Sequence, residues 1–263
     1  MKAIVAFFEA VGRLAIGILE GIGELFLLSF RSVWRMLTPP YGIRDIIQQI
    51  ELLGVRSLRL ALLMALAVGS VLSLQFAYGL AKFGAKDYVG PVVAVALLRE
   101  LAPVLTALIV GGRIGSGMAA ELGSMKVGEQ IDAIRALGAD PIRKLVVPRL
   151  AASLLIMPLL TIFADLVGLI GAALIASSQF DVPNLFFYRT VLDVVVFSDL
   201  FSGLLKSLVF GFLVAIIGCY KGFSTSGGTQ GVGLSTTGTV EMISISVLVS
   251  DFVLTQGLLI IGV

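Results

Sequence analysis

Five apolar runs limit what this chain can fold into. The first, Leu60 to Ala81, carries no charge, and Gln75 is its most polar side chain. Four more follow at Tyr88–Gly112, Leu150–Ala176, Leu200–Tyr220 and Val240–Val263, each with an ionisable residue inside it. As helices rising about 1.5 Å per residue, all five are long enough to cross roughly 30 Å of hydrocarbon. Composition agrees. The chain is 58% hydrophobic and 14% charged, against about 25% charged in soluble domains, so it has too little polar surface to cover a soluble core. The expectation is an all-α integral membrane protein, with a five-span domain over 60–263 and interfacial and amphipathic helices over 1–59.

The first 36 residues carry a narrow stripe of charge. Lys2, Glu9, Arg13, Glu20, Glu24, Arg31 and Arg35 are spaced alternately seven and four apart. That is an 11-residue repeat, close to the pitch of a straight helix, so all seven fall on one edge. Ile4, Phe8, Val11, Ile18, Ile22 and Phe26 lie away from it. Such a helix fits the membrane interface, its apolar bulk in lipid; the alternative is packing against the protein's own helices. Glu9 and Arg13 break the apolar stretch that a signal peptide would need. Thr38-Pro39-Pro40 ends the helix, and a short amphipathic stretch, Ile43 to Arg59, leads into the first span.

Basic residues orient the spans. Segments 1–59, 113–149 and 221–239 lie on one side and carry seven, six and one Lys or Arg. The opposite side carries Lys82, Lys86 and Arg189. The bias predicts a cytoplasmic N-terminus and a C-terminus on the far side.

Several chemistries are excluded or unsupported. The chain has no histidine, so His-based bases, triads and metal sites are absent. A net charge of +2 gives no support for nucleic acid. A single cysteine, Cys219, sits in an apolar run and reads as a small buried side chain. Gly227-Gly228-Thr229-Gln230-Gly231-Val232-Gly233 lacks the lysine-containing ending of a phosphate loop. It reads as a tight cytoplasmic turn entering the last span. No catalytic residue, metal ligand or cofactor is expected in this chain; if ATP drives it, another chain binds the nucleotide.

What remains is charge inside the spans: Arg99-Glu100, Asp165, Lys206 and Asp251. A mid-membrane charge costs about 2.5–3.5 kcal/mol even on the lenient insertion scale. These groups must face the protein interior or a wet cavity, and two bases against three acids can pair. They form either a polar constriction on a transport path or an ion-pair network that fixes helix packing. Gln75 reads as packing glue or as a substrate contact. Between the second and third spans, Glu129 to Leu137 forms an amphipathic helix with Ile131, Ile134 and Leu137 on one side. Gly138 ends it, and the surrounding segment 113–149 is basic. That helix suits docking onto a soluble partner; the plainer reading is a solvated connection.

These residues also resemble a known family. Leu97-Leu98-Arg99-Glu100-Leu101-Ala102-Pro103-Val104 and Gly112-Arg113-Ile114-Gly115-Ser116 are similar to the permeases of Mla-type ABC phospholipid transporters, which work with MCE-domain proteins. So are Ala120-Glu121-Leu122-Gly123-Ser124-Met125, Glu129-Gln130-Ile131-Asp132-Ala133, Asp140-Pro141-Ile142, Val147-Pro148-Arg149-Leu150, Gly231-Val232-Gly233 with Ser235-Thr236-Thr237, and Asp251-Phe252-Val253-Leu254-Thr255. The resemblance runs from about residue 70 to residue 256.

It implies a homodimeric permease in the bacterial inner membrane, with a periplasmic C-terminus. A cytoplasmic ABC ATPase would hold ATP and Mg, a ring of MCE-domain lipid-binding proteins would sit on the far side, and a small STAS-domain protein would be a further partner. The assembly would move phospholipid and contribute to outer-membrane lipid homeostasis. The resemblance places Arg99 and Glu100 near the lipid cavity, with Lys206 and Asp251 completing that polar cluster; Gln75 and Leu101 join them as candidate cavity residues. It assigns ATPase docking to Glu129, Gln130, Asp132, Arg135 and Leu137. Ala136-Leu137-Gly138-Ala139 and the segment Ser177–Asp199 look distinctive, so partner surfaces would differ there.

Two other functions fit the composition. An ion-gradient-driven transporter of an amphipathic substrate would use Asp165 and Asp251 as proton carriers, but the five spans show no inverted repeat. A membrane scaffold would have no need of the intramembrane charges.

Overall fold

A computed structural model describes the backbone of residues 2–39 and 42–262. Side chains at 1–11, 13–15, 18, 40, 41 and 263 lie outside the described residues, and with them Lys2, Glu9 and Arg13 of the charged stripe and Ile4, Phe8, Val11 and Ile18 of its apolar bulk. The elements are all helical: α1 (Lys2–Leu37), α2 (Ile43–Ala81), α3 (Lys86–Val127), α4 (Gln130–Ala136), α5 (Ile142–Phe180), α6 (Asn184–Val194), α7 (Phe197–Phe223) and α8 (Gly228–Ile261). Helices α2, α3, α5, α7 and α8 are the five long and apolar enough to span a membrane.

Helix α1 packs one face onto the protein and leaves another exposed. Leu25, Leu28, Ser32 and Met36, three or four residues apart, pack onto the core. On its outer side Leu19, Phe26, Phe30 and Trp34 are exposed, as an interfacial helix requires. Charges of the stripe tie it down: Arg35 pairs with Asp140 at 2.9 Å, and the Tyr220 hydroxyl donates to Glu24 at 3.3 Å.

Helix α2 fuses the amphipathic stretch and the first span, through a π-helical turn at Glu51–Val55. Its packing rests on one stripe. Ser57, Ala61, Ala65, Gly69, Ser73 and Ala77 recur every four residues, and all are buried. Small residues let helices approach closely where lipid supplies no hydrophobic drive between them. The facing residues on α5 are small too: a Cβ built on Gly69 would stand 1.9 Å from the Gly168 carbonyl oxygen.

Helix α3 runs well past Gly112, the expected end of the second span. Ile114, Met118 and Leu122, four apart, are buried in the main core. Gly218 and Gly222 of α7 lie against this stretch, with Cβ positions 3.1 Å from Gly115 Cα and 2.5 Å from Leu122 Cβ. Packing against α7 therefore continues the helix where lipid no longer sustains it. The expected loop 113–149 shrinks to 128–129 and 137–141 on either side of α4. Helix α8 likewise starts earlier than Val240. Only Gly227 and Gly228 adopt the left-handed turn (φ 86° and 66°); the rest of the glycine-rich stretch is already helical. The segment Ser177–Asp199 contains α6, which buries Phe187 and Val191 against the start of α3.

Candidate functional site

Four of the five intramembrane charges, all but Asp165, gather where α3 changes pitch. Pro103 has no N–H to give the carbonyl four residues back, and its ring crowds that carbonyl. The turn before it, Leu97–Leu101, widens to a π-helix. Such single-turn insertions concentrate at functional sites. This turn presents Arg99 and Glu100.

Opposite it on α7 stand Asp199, Gly203 and Lys206. At spacings of four and three they share one face. A Cβ on Gly203 would lie 2.1 Å from the Leu98 carbonyl oxygen, so the two backbones all but touch. An ion pair closes each side of that contact. Arg99 Nε meets Asp199 Oδ1 at 2.5 Å, and Lys206 Nζ meets Glu100 Oε2. Asp199 also accepts the Val196 N–H at 3.0 Å, which fixes the start of α7.

Lys206 has no solvent exposure. Its ammonium donates to Glu100 and to the Thr255 hydroxyl at 2.8 Å, and lies 3.2 Å from the Asp251 carboxylate. Thr255 is four residues beyond Asp251 and donates to its carbonyl. The cluster thus joins α3, α7 and α8. Glu100 stays 38% exposed, whereas Arg99 is 28% exposed with only Nε engaged.

The six expected cavity residues divide. Arg99, Glu100, Lys206 and Asp251 lie in these two ion-paired groups, and half-buried Leu101 completes the π-turn. Gln75 is exposed on α2 and makes no side-chain hydrogen bond among the described residues. The second pairing partner, Asp199, was not expected. It fell in a presumed loop, and its signal in the sequence is its position seven residues before Lys206. Asp165 joins neither cluster.

On the opposite end, α4 spans Gln130–Ala136. Glu129 precedes it with φ 57°, a left-handed conformation that side chains rarely adopt. The expected apolar side splits. Ile131 is fully buried, Ile134 packs at the edge of the core, and Leu137, just past the helix, is 86% exposed. Asp132 receives Lys126 Nζ at 3.0 Å and Arg135 Nη1 at 3.1 Å. The hydrogen bond from Lys126, with both cations nearby, holds the Asp132 carboxyl below its usual range. On α5, Arg149 is buried and paired with Glu121 of α3 at 2.8 Å.

Known proteins resemble this chain in sequence. The family model described as Permease MlaE matches residues 46–257. The "Probable ABC transporter permease protein" of Rickettsia felis is 36% identical over 94% of this chain and 96% of its own length. A Synechocystis sp. protein of the same description is 42% identical over 87% of each chain. "Protein TRIGALACTOSYLDIACYLGLYCEROL 1, chloroplastic" of Arabidopsis thaliana is 38% identical over 88% of this chain and 66% of its own.

Proposed function

We propose a lipid-moving role from one premise: this chain belongs to the MlaE permease family and is a membrane-spanning permease subunit. Its substrate is phospholipid, passed between the bacterial inner membrane and an MCE-domain protein. ATP and Mg are handled by a separate cytoplasmic ABC ATPase. The N-terminus faces that ATPase, and the C-terminus lies on the periplasmic side. The name of the Arabidopsis relative, which is that of a glycerolipid, supports a lipid substrate.

One observation carries the reading. Glu100, inside a span, keeps 38% of its side chain exposed, on a cluster whose Lys206 is fully buried. A carboxylate facing lipid is costly, so this face borders a wet cavity. Helix α8, beside it, exposes Ile245, Val249, Phe252, Ile260 and their neighbours over most of its length. A second copy of the chain set against α8 would enclose the cavity, giving a homodimer. Apolar walls suit acyl tails and a small charged patch suits the headgroup. Arg99 is the better phosphate contact, because its terminal nitrogens have no protein partner among the described residues. Lys206 is fully buried and already engaged with Glu100, Thr255 and Asp251.

Helix α4 with Glu129, Gln130, Asp132, Arg135 and Leu137 is the docking surface for the ATPase. The test is co-reconstitution of this chain with its ATPase in proteoliposomes, followed by ATP-dependent transfer of labelled phospholipid to an MCE-domain acceptor. Arg99→Ala and Glu100→Ala are expected to slow transfer at least tenfold while the ATPase still co-purifies. Unchanged flux in both variants sinks the reading.

A further inference from the structure

Asp165 lies in the middle of α5, is 6% exposed, and makes no hydrogen bond or ion pair among the described residues. Its Oδ1 is a buried acceptor without a donor. The membrane bases are committed elsewhere, Arg99 to Asp199 and Lys206 to Glu100 and Asp251. A buried polar atom left unpaired costs free energy comparable to a lost hydrogen bond, and each such atom in a native structure asks for an explanation.

The carboxyl group lines a pocket of about 340 Å³ between α5, the π-turn of α3 and the α6–α7 corner. Every other lining side chain is aliphatic or aromatic, among them Leu98, Ile162, Val195 and Leu200. The pocket is not a closed packing defect. Leu192 and Phe197 at its edge are 78% and 82% exposed, so it opens outward. Its volume lies within the roughly 300–1,000 Å³ of small-molecule sites, which are mostly apolar with a few placed polar groups.

We propose that this pocket is a second binding site, separate from the Lys206 cluster, for an alkylammonium group: a protonated amine carried on an apolar body. The amine supplies the counter-charge and donors that Asp165 lacks, in a setting where water screens little. The apolar body fills the rest of the pocket. An anionic ligand would meet a like charge. A neutral one, such as an alcohol, offers a single donor and no charge, whereas an ammonium offers three donors. The rim ring of Phe197, stacked with Phe201 at 6.4 Å between centroids, adds an aromatic face that favours a cation at the mouth. The same chemistry occurs in aminophospholipid headgroups and in small lipophilic amines.

The test uses the full chain in phosphatidylcholine nanodiscs, with dodecylamine and dodecanol as matched probes read by native mass spectrometry. Dodecylamine is expected to bind at least tenfold more tightly than dodecanol. Asp165→Asn is expected to remove that preference, and Leu192→Trp, which plugs the rim without touching the carboxylate, to block both probes. Equal binding of the two probes to the unsubstituted chain overturns the proposal, as does undiminished dodecylamine binding in Leu192→Trp. If Asp165→Asn fails to assemble, the rim variant decides. Nanodiscs doped with phosphatidylethanolamine or phosphatidylglycerol separate the sources. Co-retention of phosphatidylethanolamine that Leu192→Trp abolishes points to a headgroup. Amine binding without it points to small lipophilic amines.

Discussion

The ammonium of Lys206 lies 3.2 Å from the Asp251 carboxylate, with no solvent reaching the lysine. That contact ties α7 to α8, and the same ammonium ties both to Glu100 on α3. Removing one member of a buried ion group leaves the others uncompensated and costs about 3–5 kcal/mol. Lys206→Met is therefore expected to lower unfolding stability in detergent by about that amount. The triple variant Lys206→Met, Glu100→Gln, Asp251→Asn should recover most of the loss, because no charge is left unpaired. Transfer activity should stay low in the triple variant. If activity returned with stability, the cluster would be packing alone.

Gly203 allows the π-turn of α3 and α7 to meet backbone to backbone. A methyl there would stand 2.1 Å from the Leu98 carbonyl oxygen, which is fixed backbone rather than a flexible tip. Gly203→Ala must part the helices between the Arg99–Asp199 and Lys206–Glu100 pairs. We expect a loss of roughly 1–3 kcal/mol, typical of overpacking, together with loss of transfer. Gly79, whose Cβ would meet nothing within 4 Å, serves as the control: Gly79→Ala should change neither. Detergent unfolding curves of the two variants side by side check this.

Much of the fold was legible because hydropathy reports lipid exposure directly. The five spans followed from hydropathy and α4 from its amphipathic spacing, whereas the partners of the charges inside the spans stayed open. Helix ends were not legible in the same way. Gly112 looked like the end of a span because polarity rises there, yet Ile114, Met118 and Leu122 continue a buried stripe. Helix packing, not lipid, sustains that stretch. The four-residue repeat of small residues from Ser57 to Ala77 was in plain view in the sequence and gives the α2–α5 contact. Asp199 was hidden for another reason. Its role depends on the register of α7 against the π-turn, which hydropathy does not carry.

Leu137 is the most exposed large apolar side chain near α4, although it was expected to share a face with buried Ile131. If α4 is the dock proposed above, Leu137 stands where the ATPase would meet it. Leu137→Asp is expected to weaken ATPase co-purification by tenfold or more without altering the chain's own unfolding curve. Ile131→Ala should do the reverse at first, loosening α4 on the core and lowering stability by about 2–5 kcal/mol. A quantitative pull-down and unfolding curves for both variants separate the two roles. Equal ATPase binding by Leu137→Asp and the unsubstituted chain removes Leu137 from the docking surface.

Asp132 offers a pH handle on the same surface. Hydrogen bonding from Lys126, with Lys126 and Arg135 as nearby cations, holds its carboxyl below the ordinary value of 3.8. The sign follows from linkage: a folded-state value below the unfolded one makes the group stabilising above the unfolded value, and that contribution is lost as pH falls through the folded one. Amide-exchange protection across 130–136, corrected for the intrinsic rate, should thus stay flat from neutral pH down to about 5. It should fall only below 3.8, as the carboxylate takes up a proton and releases Lys126 and Arg135. Asp132→Asn should show the weakened protection at every pH and lose the acid-dependent step. The site is exposed, so the effect should be local to α4 and reduced by added salt. A step of the same size in Asp132→Asn would assign it to another carboxylate, and Asp140, which pairs with Arg35 and caps the Ile142 N–H at 3.0 Å, would be the next to substitute.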